Sequence, residues 1–290
     1  MDKIQLKAYG KINLGLDVLR KREDGYHDLE MIMQTVGVYD DVIITKIPEE
    51  RKITVKTDTM VLDNEKGNLA YMAAKLLMDE FEITQGVEIV LHKRIPIAGG
   101  MAGGSSDCAA TLKGINEMFG LGLSRQELME RGVTLGADVP YCVMGGTALA
   151  EGIGEKLTPL PTPPQCHVII AKPPVSVSTA FVYGNIRPAE IEKRPDTKGI
   201  IRAIEQKNLQ DLSKLLYNVM EDVTIPEYPV IEEIKQQLLS DGALGAIMSG
   251  SGPTVFALFD CAEKAKKAFD NLRGSELVEQ LYLTGFVNED

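Results

Sequence analysis

No apolar run in this 290-residue chain reaches the roughly 18 residues that a membrane-crossing helix needs, so no span is expected. The N-terminus lacks an apolar signal core and begins almost at once with strand-like alternation, which predicts a cytoplasmic protein. Cysteine is sparse. Cys108, Cys142, Cys166 and Cys261 lie far apart, with no C-x-x-C and no histidine at ligand spacing. That argues against a disulfide framework or a zinc site, and for buried free thiols in a reducing compartment. Positive charge is in deficit: the net charge of −11 excludes the wide basic surface that nucleic acid or an anionic membrane would require. An anionic ligand would have to be held by a few local cations. No internal repeat and no low-complexity tract is present.

What the chain does have is a globular composition, with 44% apolar and 25% charged residues and ample length for a core. Residues 4–18 alternate as two strands broken at Tyr9-Gly10. Residues 29–36, 42–47 and 53–57 read as further strands. Asn68 is placed to cap a helix whose Leu69, Met72, Ala73, Leu76 and Leu77 share one face. Residues 87–91 form a short buried strand, Ser124 to Glu127 a capping box for a helix that Gly136 ends, and residues 147–151 another strand. Leu157 to Pro164 holds four prolines in eight residues, so the domain junction is expected there, dividing the chain into 1–160 and 161–290. Beyond it, a strand at 166–171 leads to helices at 178–185, 208–222 and 229–240. Strands at 243–248 and 254–259, a helix capped by Asp260 and a last strand at 281–287 follow. Interleaved strands and helices of this kind predict an α+β class with a ferredoxin-like second half.

The most informative segment is Pro96-Ile97-Ala98-Gly99-Gly100-Met101-Ala102-Gly103-Gly104-Ser105-Ser106. A helical pattern follows it, which Ser105 or Ser106 can cap and Gly120 can close. Glycines before a helix N-terminus let a phosphate approach free backbone N–H groups at the positive end of the dipole. It is neither a Walker A loop nor a dinucleotide fingerprint. A plain glycine-rich turn before a helix would read the same way. The second glycine turn, Met248 to Thr254, joins two apolar strands and is either a tight hairpin or a second wall around the same ligand.

Three residue groups carry possible chemistry. Lys11 and Asn13 are two apart on a strand, so they leave the same face and could hold a polar substrate group; a solvent-facing strand lysine is the alternative. Asp138, in Gly136-Ala137-Asp138-Val139-Pro140, is either a cap for the next turn or a base for a hydroxyl attacking phosphorus. Tyr26 and His27 sit together in a polar loop, where a flat ring beside an imidazole suits a nucleobase; a packed tyrosine beside a solvated histidine is the alternative. His92 and His167 lie in strand-like segments and read as structural.

Taken in order, the lysine strand, the Pro-x-x-x-Gly-x-x-Gly-Gly-Ser-Ser loop and the late Gly-Ser-Gly-Pro-Thr turn resemble the GHMP kinases over nearly the whole chain. That resemblance implies a ribosomal-protein-S5-domain-2-like N-terminal domain and a ferredoxin-like C-terminal domain. It implies ATP over residues 96–106, with Asn68 and Lys93 near the adenine, Asp138 as base and Lys11 offsetting charge. Ala8 to Leu14, Asp24 to His27 and Gly136 to Pro140 are similar to the members whose small-molecule substrate carries a cytidyl diphosphate. By that likeness Asn13 contacts substrate, His27 meets the cytosine edge, and Tyr26 and Tyr183 sandwich the ring. Met101-Ala102 stand where relatives often have leucine and glycine. Mg²⁺ is implied as the companion of ATP; Ser106 fits a metal-binding serine, and no partner glutamate can be placed. A homoserine- or mevalonate-type kinase, or a non-catalytic module on the same fold, are the competing readings.

Overall fold

The computed structural model describes residues 2–48, 50–59 and 67–288, and within these the chain forms two compact units. Each is assembled from three chain segments. The first comprises residues 1–10, 38–95 and 102–145, and the second residues 11–37, 96–101 and 146–290. These packing units are therefore discontinuous in the sequence. The reason is the length of the first two strands. β1 runs from Lys3–Lys21 and β2 from His27–Ile47, each unbroken and each contributing to both units.

In the first unit, β4 (Gly86–His92) pairs antiparallel with residues 41–47 of β2 and parallel with β3 (Ile53–Thr57). Helices α1 (Leu69–Glu80) and α2 (Gly103–Phe119) pack against each other; α3 (Arg125–Gly132) and α4 (Val139–Met144) add to α2. The core joins Ile44, Leu77, Ile89, Leu112, Ile115, Val139 and Val143. Here α2 lies flush: a Cβ at Gly114 would sit 2.6 Å from Ile44 Cδ1 and 2.9 Å from Leu6 Cδ1. Asn68 caps α1 as expected, accepting from Ala70 N–H at 2.9 Å, and Ser124 forms its capping box with Glu127. The helix after that box ends at Gly132, earlier than Gly136.

The second unit pairs residues 29–34 of β2 with β5 (Thr147–Gly152), and β5 with β6 (Lys156–Pro159). A separate antiparallel sheet has the order β11 (Gln280–Thr284), β7 (His167–Lys172), β10 (Val255–Phe259), β9 (Gly245–Met248). With α9 (Val230–Ser240) between its first two strands and α10 (Ala262–Leu272) between its last two, this is the expected ferredoxin-like arrangement. Asp260 does not cap α10; the N-cap is Cys261, and Asp260 pairs with Lys264 instead. Between β7 and α9 lie α5 (Thr179–Asn185), α6 (Thr197–Glu205), α7 (Leu209–Leu215) and α8 (Glu221–Glu227). The single helix expected over 208–222 is interrupted by β8 (Tyr217–Asn218), which pairs parallel with Gly15 and Leu16 of β1.

Candidate active site

Residues 96–101 of the glycine loop belong to the second unit and α2 to the first. The helix starts at Gly103, two residues before the expected serine caps. Ala102 is the N-cap, in a left-handed conformation (φ +59°) with no side-chain cap bond. The first ladder bond is Ser106 N–H to Ala102 O at 2.9 Å. The N–H groups of Gly103, Gly104 and Ser105 therefore have no partner among the described residues. Three free donors at the positive end of a 17-residue helix fit an anion such as a phosphate. Gly104 is exposed, and a Cβ there would meet only Leu69 Cδ1, at 3.7 Å. Gly103 is different: its Cβ would face inward, 3.2 Å from Ile95 Cγ2 and 3.6 Å from Lys93 Nζ.

Ser106 is buried, and its hydroxyl donates to Tyr9 O at 2.7 Å. The described residues contain no group of three or more His, Cys, Asp or Glu side chains able to hold a metal. This donor set does not supply a protein cage for Mg²⁺.

Asp138 ends the turn before α4, yet its side chain makes no cap bond. The carboxylate is half-buried and has no hydrogen-bond or ion-pair partner among the described residues. Its segment lies beside the start of α2, since a Cβ at Gly136 would come 3.9 Å from Ser105 Oγ. The capping alternative is thereby removed.

Lys93 adopts an inward position that sequence reasoning did not foresee. Its ammonium bonds both Asp40 and Asp107, and all three side chains are almost wholly buried. The other Asp40 oxygen accepts from Ile95 N–H at 2.8 Å and Arg94 N–H at 2.5 Å. The Lys93 side chain is thus committed to two carboxylates, and its own N–H donates to Asp58 Oδ1 at 3.0 Å. Burial drives the Asp107 carboxyl up to about 7; Lys93 opposes this and Asp40 adds to it. Its Oδ1 has no hydrogen-bond partner.

A stability consequence follows from Asp107. From the ordinary value of 3.8 up to about 7, the folded chain keeps a proton that the unfolded chain has released. Unfolding free energy from this group therefore falls as pH rises through that window. Melting curves of the wild type and Asp107→Asn at pH 5.5 and pH 8 check it. The variant should gain several degrees relative to wild type at the higher pH, and a difference that does not change with pH contradicts the raised value.

In the second unit, Lys11 is 5% exposed and donates to Asn13 Oδ1 at 2.8 Å and Gly100 O at 2.9 Å. The two residues do share a face of β1. An ammonium has three N–H donors, and the third has no partner among the described residues. Lys11 N–H also holds the loop, donating to Met101 O at 3.1 Å. The second glycine turn touches the first: Ser249 Oγ donates to Gly100 O at 3.0 Å. Both approaches require glycine. A Cβ at Gly100 would lie 2.1 Å from Ser249 O, and one at Gly250 would lie 3.0 Å from Gly100 O and 3.4 Å from Lys11 Nζ.

The Tyr26–His27 loop is tied by charge: Arg22 pairs with Asp24 and Asp28, and Asp24 Oδ1 accepts from Tyr26 N–H at 3.1 Å. The Tyr26 ring stays 58% exposed. His27 is buried, with its ring centroid 5.2 Å from that of Tyr183 on α5 at an interplanar angle of 30°. Burial, then the nearby Lys21, holds its pKa below the usual histidine range. It is a neutral imidazole near pH 7, able to donate one hydrogen bond and accept another.

A helix N-terminus with open N–H donors and an unpaired carboxylate are features that a kinase of small molecules can use, and comparison with known proteins gives the family. The GHMP kinases N terminal domain matches residues 68–146 and the GHMP kinases C terminal domain residues 200–276. The chain belongs to the GHMP kinase family. It is 54% identical to a 4-diphosphocytidyl-2-C-methyl-D-erythritol kinase of Lachnoclostridium phytofermentans, over 99% of this chain and 98% of that relative. A crystal structure of 4-(cytidine 5'-diphospho)-2C-methyl-D-erythritol kinase superposes with a TM-score of 0.82 at 29% identity, covering 99% of this chain and 100% of that one. Homoserine kinase from Cytophaga hutchinsonii shares the fold, with a TM-score of 0.78 at 23% identity over 98% and 95% of the two chains. The fold alone therefore does not choose the acceptor.

Proposed function

We propose that this chain is the ATP-dependent kinase of 4-diphosphocytidyl-2-C-methyl-D-erythritol, acting in the non-mevalonate route to isoprenoid precursors. The identity of 54% over nearly the full length to a kinase of that name carries the assignment. The contact of buried His27, next in sequence to the exposed Tyr26, with half-buried Tyr183 supports a cytidyl substrate, because homoserine or mevalonate would need no aromatic platform.

In this reading the tertiary 2-hydroxyl oxygen of the methylerythritol attacks the γ-phosphorus of ATP. The new O–P bond forms as the bond from γ-phosphorus to the β,γ-bridging oxygen breaks, and ADP leaves. Asp138 takes the hydroxyl proton, and the free N–H of Lys11 offsets charge on the transferring group. Asn13 contacts the acceptor and holds the Lys11 ammonium. Residues 96–106 cradle the triphosphate, with the open N–H groups of Gly103, Gly104 and Ser105 as donors. Asn68 and Lys93 flank the adenine, Lys93 through its backbone, since its ammonium is bound to Asp40 and Asp107. When bound, Mg²⁺ would be the companion of ATP and would neutralise phosphate charge; the described residues form no carboxylate cage that could hold it on their own. None of the four cysteines is in a disulfide, which suits a cytoplasmic location. No helix among the described residues is long and apolar enough to cross a membrane.

ADP release from the purified protein, with the cytidyl substrate, homoserine and mevalonate as separate acceptors, tests the assignment. Turnover should occur with the first alone. Tyr26→Ala should raise KM for that substrate roughly 10-fold or more, as expected for one stacked base worth about 1–3 kcal/mol, with KM for ATP nearly unchanged. Equal changes in both constants would remove the stacking role, and turnover of homoserine or mevalonate alone would remove the assignment.

A further inference from the structure

The turn after β9 reaches Lys11 through a short series of hydrogen bonds. Gly100 O accepts from Lys11 Nζ at 2.9 Å and from Ser249 Oγ at 3.0 Å, so both of its lone pairs are engaged. With a second ammonium N–H on Asn13, the direction of the remaining one is set by where Gly100 O lies. Ser249 is itself held on both sides. The Nδ2 group of Asn218 donates to Met248 O at 2.9 Å and to Gly250 O at 2.8 Å, while Asn218 Oδ1 accepts from Met220 N–H at 2.9 Å. Glu221 completes the support, accepting from Met248 N–H at 2.7 Å and from Lys235 at 2.7 Å. Asn218 is 1% exposed, and all of these residues lie within the second unit.

We propose that Asn218 is a positioning residue for Lys11. It pins the carbonyls on either side of Ser249, whose hydroxyl shares Gly100 O with the ammonium, and so aims the free N–H. Only an amide meets the demand of two donors toward carbonyls and one acceptor toward an N–H within a single short side chain. The proposal rests on the reading of Lys11 as the group that offsets charge during transfer.

The test is a double-mutant cycle read by kcat, KM and calorimetric affinity for an ATP analogue. Asn218→Asp keeps the shape and removes the two donors; Ser249→Ala removes only the hydroxyl bridge. Asn218→Asp should lower kcat by about 10–100-fold and Ser249→Ala by about 10-fold, with both KM values and ATP-analogue affinity within about threefold, because a misplacement near 1 Å costs up to about 10²-fold. In a Lys11→Met background, followed by single-turnover product formation, neither change should lower the rate more than about twofold further. Losses that multiply in that background, or unchanged kcat in the single variants, overturn the proposal and leave Lys11 in its role. Wild-type turnover by Lys11→Met overturns that role and the proposal with it. Should Asn218→Asp fail to fold, Ser249→Ala decides alone.

Discussion

Asp138→Asn lowers kcat by about 10²–10⁴-fold or more and leaves affinity for an ATP analogue within about twofold. The first figure is what a positioned base contributes. The second follows from where the side chain sits: the carboxylate makes no cap bond and pairs with no described residue, so neither the phosphate helix nor α4 depends on it. Asparagine is nearly isosteric and cannot accept the proton. Melting temperature should therefore stay within a degree or two, which separates this loss from the general damage of a core substitution. Steady-state turnover, calorimetric binding and a melting curve on one preparation decide the matter. Activity near wild type would remove Asp138 as the base. A parallel fall in Tm would mean that the carboxylate has a structural role its geometry does not show.

Motifs confined to a few consecutive residues were legible in the sequence, and contacts between distant segments were not. The cap at Asn68, the capping box at Ser124 and the closure of α2 at Gly120 depend on neighbours within four residues, and all three are present. The strands read at 29–36 and 42–47 are one continuous strand, for a long-range reason. A Cβ at Gly37 would meet Thr284 Oγ1 at 2.5 Å, so this glycine serves a close approach and β2 runs on through it. Likewise β1 passes Tyr9-Gly10 without interruption. Helix α6 is not among the elements expected above, although Asp196 caps it by accepting from Gly199 N–H at 2.8 Å and Ile200, Ala203 and Ile204 share its buried face.

The site divides in the same manner. Lys11 beside Asn13 follows from strand alternation alone. Asn218 lay hidden in a stretch that reads as one helix, because its partners Met248 and Gly250 are about thirty residues further on. The Asp40–Lys93–Asp107 cluster joins β2, the segment just after β4 and α2, which are far apart in the sequence. Lys93 was expected at the adenine because of its place in the family pattern, which says nothing about where an ammonium turns when two carboxylates are within reach.

Gly100→Ala should reduce kcat/KM by about 10²-fold or more, whereas Gly122→Ala should leave it near wild type. The two glycines share the same backbone angle, φ +73°. For an L-residue that conformation costs roughly 1–2 kcal/mol, and this part of the penalty is common to both variants. What differs is space. Nothing lies within 4 Å of a Cβ at Gly122, while a Cβ at Gly100 would sit 2.1 Å from Ser249 O, a backbone atom that cannot rotate away. The turns must separate for alanine to fit. Gly100 O then loses the position from which it holds both Lys11 Nζ and Ser249 Oγ. Gly122→Ala isolates the backbone cost, so the difference between the two variants measures the contact between the glycine turns. Kinetics and melting curves on the pair provide the check, with Gly122→Ala expected to lose only a few degrees. Equal activity in both would show that the turns can part without disturbing Lys11, and the role of their contact in transfer would fall.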